Sequence, residues 1–291
     1  MTVRDRLGEG DPTGARPATP SGPGTPATIL DEEPAHVDAL GLRLAYGANK
    51  VFDGLSCRFA QGAISCIIGA SGSGKSTLLK LIACLIKPDF GDIWVGDQEI
   101  TCMPESQAMV FRRRIGMLFQ AGALLDSMTV FENVALPLRE KTRLTEKEIE
   151  EEVHLQFEAV GLDKVDKLLP GELSGGMRKR VALARAMITR PEILLVDEPF
   201  SGLDPIAVRV VEALLLDLRE RTGVTMILVN HDIPSTMRIA DQIVFIVGRR
   251  TLSGSVEEMQ QSEDRRVRAF IDAASPGEID PSVWQGQESE L

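Results

Sequence analysis

ISCIIGASGSGKST, residues 64–77, decides the fold. Its first five residues are almost continuously apolar and read as a buried strand. GASGSGKST, residues 69–77, matches G-x-x-x-x-G-K-[ST] in full. Residues 77–86 continue apolar at helical spacing, up to the stop signal Lys87-Pro88. Strand, glycine-rich turn and helix, in that order, are the context that gives this motif its meaning. Glycines let the backbone fold tightly enough for successive N–H groups to converge on phosphate oxygens. The helix that follows adds the positive end of its dipole. Gly69, Ser71, Gly72, Ser73, Gly74 and Thr77 are therefore candidate nucleotide-binding residues. Lys75 offers a point charge to the β and γ phosphates, and Ser76 a hydroxyl to Mg²⁺. The motif by itself does not choose between a kinase, a GTPase and a motor ATPase.

Outward from this point, other apolar runs share the character of the first strand. EILLVDE (192–198) is apolar until it ends in two carboxylates, and VTMILVN and QIVFIVG follow downstream. Helical stretches separate them, most clearly at 207–221 and at 144–160, where Thr145 and Glu148 form a capping-box pattern. Runs of this kind alternating with helices predict an α/β fold with a mostly parallel sheet. Asp197, at the strand end, is placed to reach the Mg²⁺ held by Ser76. Glu198 follows at once and, by strand alternation, faces the other way, toward an attacking water.

The totals agree with a soluble globular reading. The chain has 291 residues and 43% hydrophobic content, enough for one large or two small domains with a sizeable core. Its formal net charge of −11 argues against nucleic acid as the main partner. The three arginines 112–114 read as a helix end at the surface. Cys57, Cys66, Cys84 and Cys102 have no metal-ligand spacing and read as core or neutral positions in a reducing compartment. No stretch approaches the ~18 apolar residues of a spanning helix, and no apolar signal region is expected at the start. Residues 1–36, rich in Gly, Pro, Thr and Ala, are expected to form a disordered arm. Residues 37–261 are the expected catalytic domain. A short helix within 262–291, with Val267, Phe270 and Ile271 on one face, would lead to a loose tail containing Trp284.

LSGGMRKRVALARA (173–186) settles the class. Ser174-Gly175-Gly176 opens a helix with a basic first turn, a second helix start suited to an anion. Taken with the phosphate loop and ILLVDE, this stretch resembles the hallmark of the ATP-binding subunits of ABC transporters, over about residues 37–254. The resemblance implies an ABC ATPase fold: a mostly parallel core sheet, a small antiparallel β subdomain, and a helical subdomain over about 121–190. It also implies ATP as substrate with Mg²⁺, Tyr46 stacked on adenine, and Gln120 touching Mg²⁺ and the attacking water. Glu198 becomes the base, His231 contacts the γ-phosphate, and Asp204 in SGLDP couples two nucleotide sites. Two copies would pack head to tail, Lys75 of one facing Ser174 of the other. The residues alone show two anion-binding helix starts, not that these belong to different copies. Met177 departs from the glutamine usual after L-S-G-G and points to a subfamily.

FQAGALLDSMTVFENVALPLRE (119–140) identifies the subfamily. Leu124, Leu125, Met128, Val130 and Phe131 are expected to form the apolar groove that grips a permease. The wording of this stretch, with L-S-G-G-M, DEPFSGLDPI and DRRVRAFID, resembles the ATPase of Mla-type, Mce-associated phospholipid transporters. That branch implies a homodimer on the cytoplasmic face of the inner membrane. Its partners are a permease, an Mce-domain lipid-binding protein and, in many systems, a small STAS-domain protein. It also implies that the C-terminal helix packs on the neighbouring ATPase. The alternative is the ATPase of an amino-acid or metal importer. A soluble ABC protein acting on DNA or ribosomes would need a long heptad run or a second cassette, and neither is present. A non-hydrolysing module would need a broken Lys75, Asp197, Glu198 or His231, and all four are intact.

Overall fold

Residues 35–120, 122–247 and 250–272 are described by the computed structural model. The expected arm, except for its last two residues, and the expected tail with Trp284 lie outside these residues. The chain opens with a long hairpin, β1 (Ala35–Tyr46) and β2 (Asn49–Ala60), and then crosses to β3 (Ile64–Gly69). The phosphate loop leads into α1 (Lys75–Ile82), followed by β4 (Phe90–Val95), β5 (Gln98–Glu99), α2 (Glu105–Phe111) and β6 (Ile115–Leu118). Three helices come next: α3 (Val130–Lys141), α4 (Glu146–Ala159) and α5 (Gly175–Met187). The second half alternates β7 (Ile193–Asp197), α6 (Pro205–Thr222), β8 (Thr225–Val229), α7 (Ile233–Ile239) and β9 (Gln242–Val247). The described chain closes with β10 (Arg250–Gly254), α8 (Val256–Gln260) and α9 (Arg265–Asp272).

Two sheets result. The smaller is antiparallel, in the order β2-β1-β4-β5; the larger runs β10-β9-β3-β8-β7-β6. Strands β9, β3, β8, β7 and β6 are mutually parallel, with β10 antiparallel at the edge. Every residue of β3, β8 and β9 is buried, which explains their unbroken apolar runs: both faces of the sheet are covered. On one face, α1 and the antiparallel sheet share a core with Ile67, Leu195 and Val229. On the other, α5 and α6 pack over Ile64, Leu194 and Met226.

α5 also belongs to a third core. Ala182, Leu183, Ala186 and Met187 face the large sheet, while Val181 and Ala184 pack with α3 and α4. This helix therefore fastens the helical subdomain to the sheet. The α3 and α4 helices each begin with a capping box, Thr129–Glu132 and the expected Thr145–Glu148.

Two expectations change in detail. The helix after the phosphate loop ends at Ile82, one turn before the Lys87-Pro88 stop. Cys84 takes a left-handed φ of 51°, and the Leu85 N–H reaches back to the Lys80 carbonyl at 2.9 Å, closing the helix without a glycine. The apolar face of α9 packs in part on its own chain. Val267 is buried, and the Phe270 ring lies 5.0 Å from Phe245 in a core shared with Ile68 and Ile233.

Candidate nucleotide site

The phosphate loop hangs between β3 and α1. Gly69 has φ 150°, and a Cβ there would meet the Ile246 carbonyl oxygen at 2.5 Å. Gly74, at φ 93°, caps α1 beneath the hairpin, where a Cβ would meet the Phe52 ring at 2.6 Å. Neither position accepts a side chain, so the glycines are set by close approach as well as by the turn. Lys75 is buried; its Nζ donates to the carbonyls of Gly69 at 2.9 Å and Ala70 at 2.8 Å. Burial holds its ammonium below the usual lysine range, while the charges of Glu198 and Asp197 push the other way.

Ser76 and Asp197, expected to share Mg²⁺, bond to each other directly: the hydroxyl donates to Oδ1 at 3.1 Å. Burial raises the Asp197 carboxyl above its ordinary value, against the pull of the Ser76 hydrogen bond. Strand alternation does not set the Glu198 side chain. β7 ends at Asp197, and Glu198 takes a left-handed φ of 49°. That turn swings its carboxylate to Gln120, whose Nε2 donates to Oε2 at 2.6 Å, and to His231, whose Nε2 lies 3.0 Å from Oε1. Non-glycine residues held in this region cluster at functional sites.

The donor set fits a magnesium nucleotide. Ser73 Oγ is buried without a hydrogen-bond partner among the described residues, and it lies inside the phosphate loop. One hydroxyl (Ser76), one carboxylate (Asp197) and one amide (Gln120) supply the hard oxygen ligands that Mg²⁺ takes. When bound, such an ion neutralises charge on the β and γ phosphates. Beside it, a carboxylate braced by an amide and an imidazole can accept a proton from water.

Other expected residues lie elsewhere. Tyr46 is 57% exposed at the tip of the β1–β2 hairpin, opposite Asn49. Ser174, Gly175, Gly176 and Asp204 line a separate groove of ≈ 440 Å³, to which the phosphate loop contributes nothing. There Ser174 caps α5 through the Met177 N–H at 3.2 Å, and Asp204 caps α6 through Ile206 and Ala207 at 2.9 and 3.0 Å.

In the segment read as a permease groove, Leu125 is exposed, and Met128 and Phe131 are half-buried. Phe131 lines a cavity of ≈ 830 Å³ with Arg139, Glu146 and Leu168. Leu124 is half-buried against two cores. Val130 is a correction: it is 0% exposed, packed with Val134, Val153 and Phe157, and cannot touch a partner. Its position at the first turn of a capped helix directs it inward.

Sequence reading missed three residues here. Asn133 is fully buried and binds Leu125, Met128 and Thr129 with its amide. On α5, Lys179 reaches the Gln120 carbonyl and Arg185 the loop after it. A polar residue on an otherwise apolar helix face was the available signal. Among the described residues no helix is long and apolar enough to cross a membrane.

The family model described as ABC transporter matches residues 52–201. The intermembrane phospholipid transport system ATP-binding protein MlaF of Escherichia coli K12 is 41% identical over 244 residues, 84% of this chain and 91% of that protein. MlaF of Haemophilus influenzae is 39% identical over 84% of this chain and 92% of its own length. Among solved structures, the dimeric post-hydrolysis state of the ATP-binding cassette MJ0796, bound to ADP and Pi, superimposes with a TM-score of 0.70. That match is 29% identical and covers 76% of this chain and 98% of that one. The chain is an ATPase and belongs to the ATP-binding subunits of the ABC transporter family.

Proposed function

We propose that this ATPase powers movement of phospholipid between envelope membranes, through a permease and an Mce-domain lipid-binding partner. The observation that carries the cargo is the 41% identity, over 244 residues, to a protein named for intermembrane phospholipid transport. The catalytic unit is residues 37–261, and the chain lies peripherally on the cytoplasmic face of the inner membrane. A small STAS-domain protein belongs to the same assembly.

The residues divide the work as follows. The phosphate loop, Gly69 to Thr77, cradles the phosphates with Lys75. Ser76, Asp197 and Gln120 hold Mg²⁺, and Tyr46 stacks on adenine. Glu198 takes the proton of the attacking water, which Gln120 and His231 orient. Phosphoryl transfer to water is mainly a matter of positioning and charge stabilisation, and the braced carboxylate supplies the first. Because the groove at Ser174 contains no phosphate-loop residue, a second copy completes the site, as the dimeric cassette in the comparison suggests. Ser174, Gly175, Gly176 and Asp204 then face the other copy's nucleotide. Leu124, Leu125, Met128 and Phe131 form the permease face, with Val130 supporting it from within.

The test is to tag the chain, purify it gently from native membranes and identify what accompanies it by mass spectrometry. A permease together with an Mce-domain protein supports the reading. A solute-importer permease overturns the cargo and leaves the ATPase standing.

A further inference from the structure

We propose that Lys179 is a positioning residue for hydrolysis: its ammonium fixes the backbones of both Glu198 and Gln120, so that the base keeps its aim. The proposal rests on Glu198 serving as the base. Lys179 lies on α5, one turn after Ser174, and is 7% exposed. Its Nζ donates to the Glu198 carbonyl at 3.0 Å and also to the Gln120 carbonyl. Among the described residues it forms no salt bridge. A lysine loses solvation on burial, and burial here holds it below its usual range while Glu198 and Asp197 raise it. An ammonium kept in such a place is spent wholly on two main-chain oxygens, and both belong to the residues whose side chains meet.

The geometry closes a triangle. Gln120 and Glu198 bond through their side chains at 2.6 Å, and Lys179 joins their carbonyls from behind. The left-handed φ of Glu198 turns its carbonyl toward α5 and its carboxylate toward Gln120 and His231. Without the lysine, the turned carbonyl keeps only the longer bond from the Ser201 N–H at 3.3 Å, and the tie from Glu198 to the Gln120 carbonyl is lost, which leaves the backbone freer to shift the carboxylate. The Glu198 N–H, bonded to Val229 at 2.9 Å, anchors only the other side of the residue.

Arg185 extends the same arrangement. It stands six residues along α5 and donates to the carbonyls of Gly122 at 2.7 Å and Ala123 at 2.8 Å. Ala123 is itself left-handed, at φ 49°. One helix thus grips the Gln120 loop at both ends and the base at its main chain, and that helix begins at Ser174. The same helix therefore joins the Ser174 end to the Glu198 main chain through the Lys179 side chain.

The test compares Lys179→Met, which keeps length and loses every donor, with Lys179→Arg, which restores charge and donors. Both are made in the full-length chain, in the wild-type background and with Glu198→Gln. The expected result for Lys179→Met is a fall in kcat of about 10–100-fold, the scale of a misplaced catalytic group, with KM for ATP within about twofold. Lys179→Arg recovers most of the loss. In the Glu198→Gln background, single-turnover hydrolysis falls less than about twofold further, because residues acting as a unit are not additive. An equal fractional loss in both backgrounds overturns the proposal, as does a rise in KM with kcat unchanged. If Lys179→Met does not fold, Lys179→Leu, which also has no donor, is read by the same ratios, and a wild-type kcat per folded site overturns the proposal. A dead Glu198→Gln with a normal Lys179→Met is failure of this proposal alone. An active Glu198→Gln is failure of the base assignment beneath it.

Discussion

Asn133 ties the loop after Gln120 to the helical subdomain, and replacing it with leucine tests how that loop is held. The side chain is 0% exposed. Its Oδ1 accepts from the Leu125 N–H at 2.8 Å, and its Nδ2 donates to the carbonyls of Leu125, Met128 and Thr129 at 3.1, 3.1 and 3.0 Å. Leucine has nearly the same shape, so no cavity enters the comparison. Some losses are covered. The Leu125 carbonyl keeps the Met128 N–H at 3.0 Å, and the Thr129 carbonyl keeps the Asn133 N–H at 2.9 Å. The Leu125 N–H and the Met128 carbonyl lose their side-chain partner. At about 1–3 kcal/mol for each buried group left unpaired, and with exposed Leu125 admitting water, the cost is about 2–3 kcal/mol. For a domain of this size that lowers Tm by about 4–12 °C. Scanning calorimetry of the purified chain measures it. The loop would also lose its fixed shape, so ATPase activity stimulated by the membrane partner should fall more than basal activity. A Tm within about 1 °C of wild type would refute the bonding scheme, since the loss of even one group exceeds that.

Glu198→Gln should retain ATP binding and trap a dimer while kcat drops by about 10²–10⁴, the usual worth of a general base; nucleotide titration and size-exclusion chromatography with ATP check it. Glu212 is buried and paired with Arg238 at 2.5 Å and Arg209 at 2.9 Å. Burial alone would raise its carboxyl, but hydrogen bonds from Arg238, Ser235 and Arg209 bring it below the ordinary glutamate value. The unfolded chain therefore takes up the proton first on acidification. The stability that Glu212 contributes is complete above the ordinary value of about 4.3 and is lost as pH falls through the lower folded value. Acid unfolding of Glu212→Gln, which cannot titrate there, should be correspondingly less steep in that window. Burial pushes the Cys57 and Cys66 thiols up to about 12, so at pH 8 iodoacetamide should label exposed Cys102 and spare both. Labelling of all three at similar rates would show that these strands open readily.

The strands of the large sheet were legible because both faces are covered, and a fully buried strand has to be written in apolar residues. The phosphate loop was legible because close approach leaves room only for glycine at Gly69 and Gly74. Less legible were features set by a single backbone angle. The Cys84 turn ended α1 before its proline, and a left-handed turn past the end of the strand, not strand alternation, aims Glu198 at Gln120 and His231. Val130 read as interface because an apolar residue beside exposed ones carries no label of direction; only the Thr129 cap fixes its face. Lys179 and Asn133 stood out only as polar residues on apolar helix faces; their roles could not be read, because their partners are main-chain atoms, which every sequence offers.

The most direct test of the account is ATP-dependent transfer of a fluorescent phospholipid between liposomes by the chain reconstituted with its co-purified membrane partner, wild type against Glu198→Gln. The account predicts transfer that needs ATP and Mg²⁺, stops in Glu198→Gln, and follows the loss of phosphate release. Transfer that persists in Glu198→Gln, or phosphate release that moves no phospholipid, would contradict it.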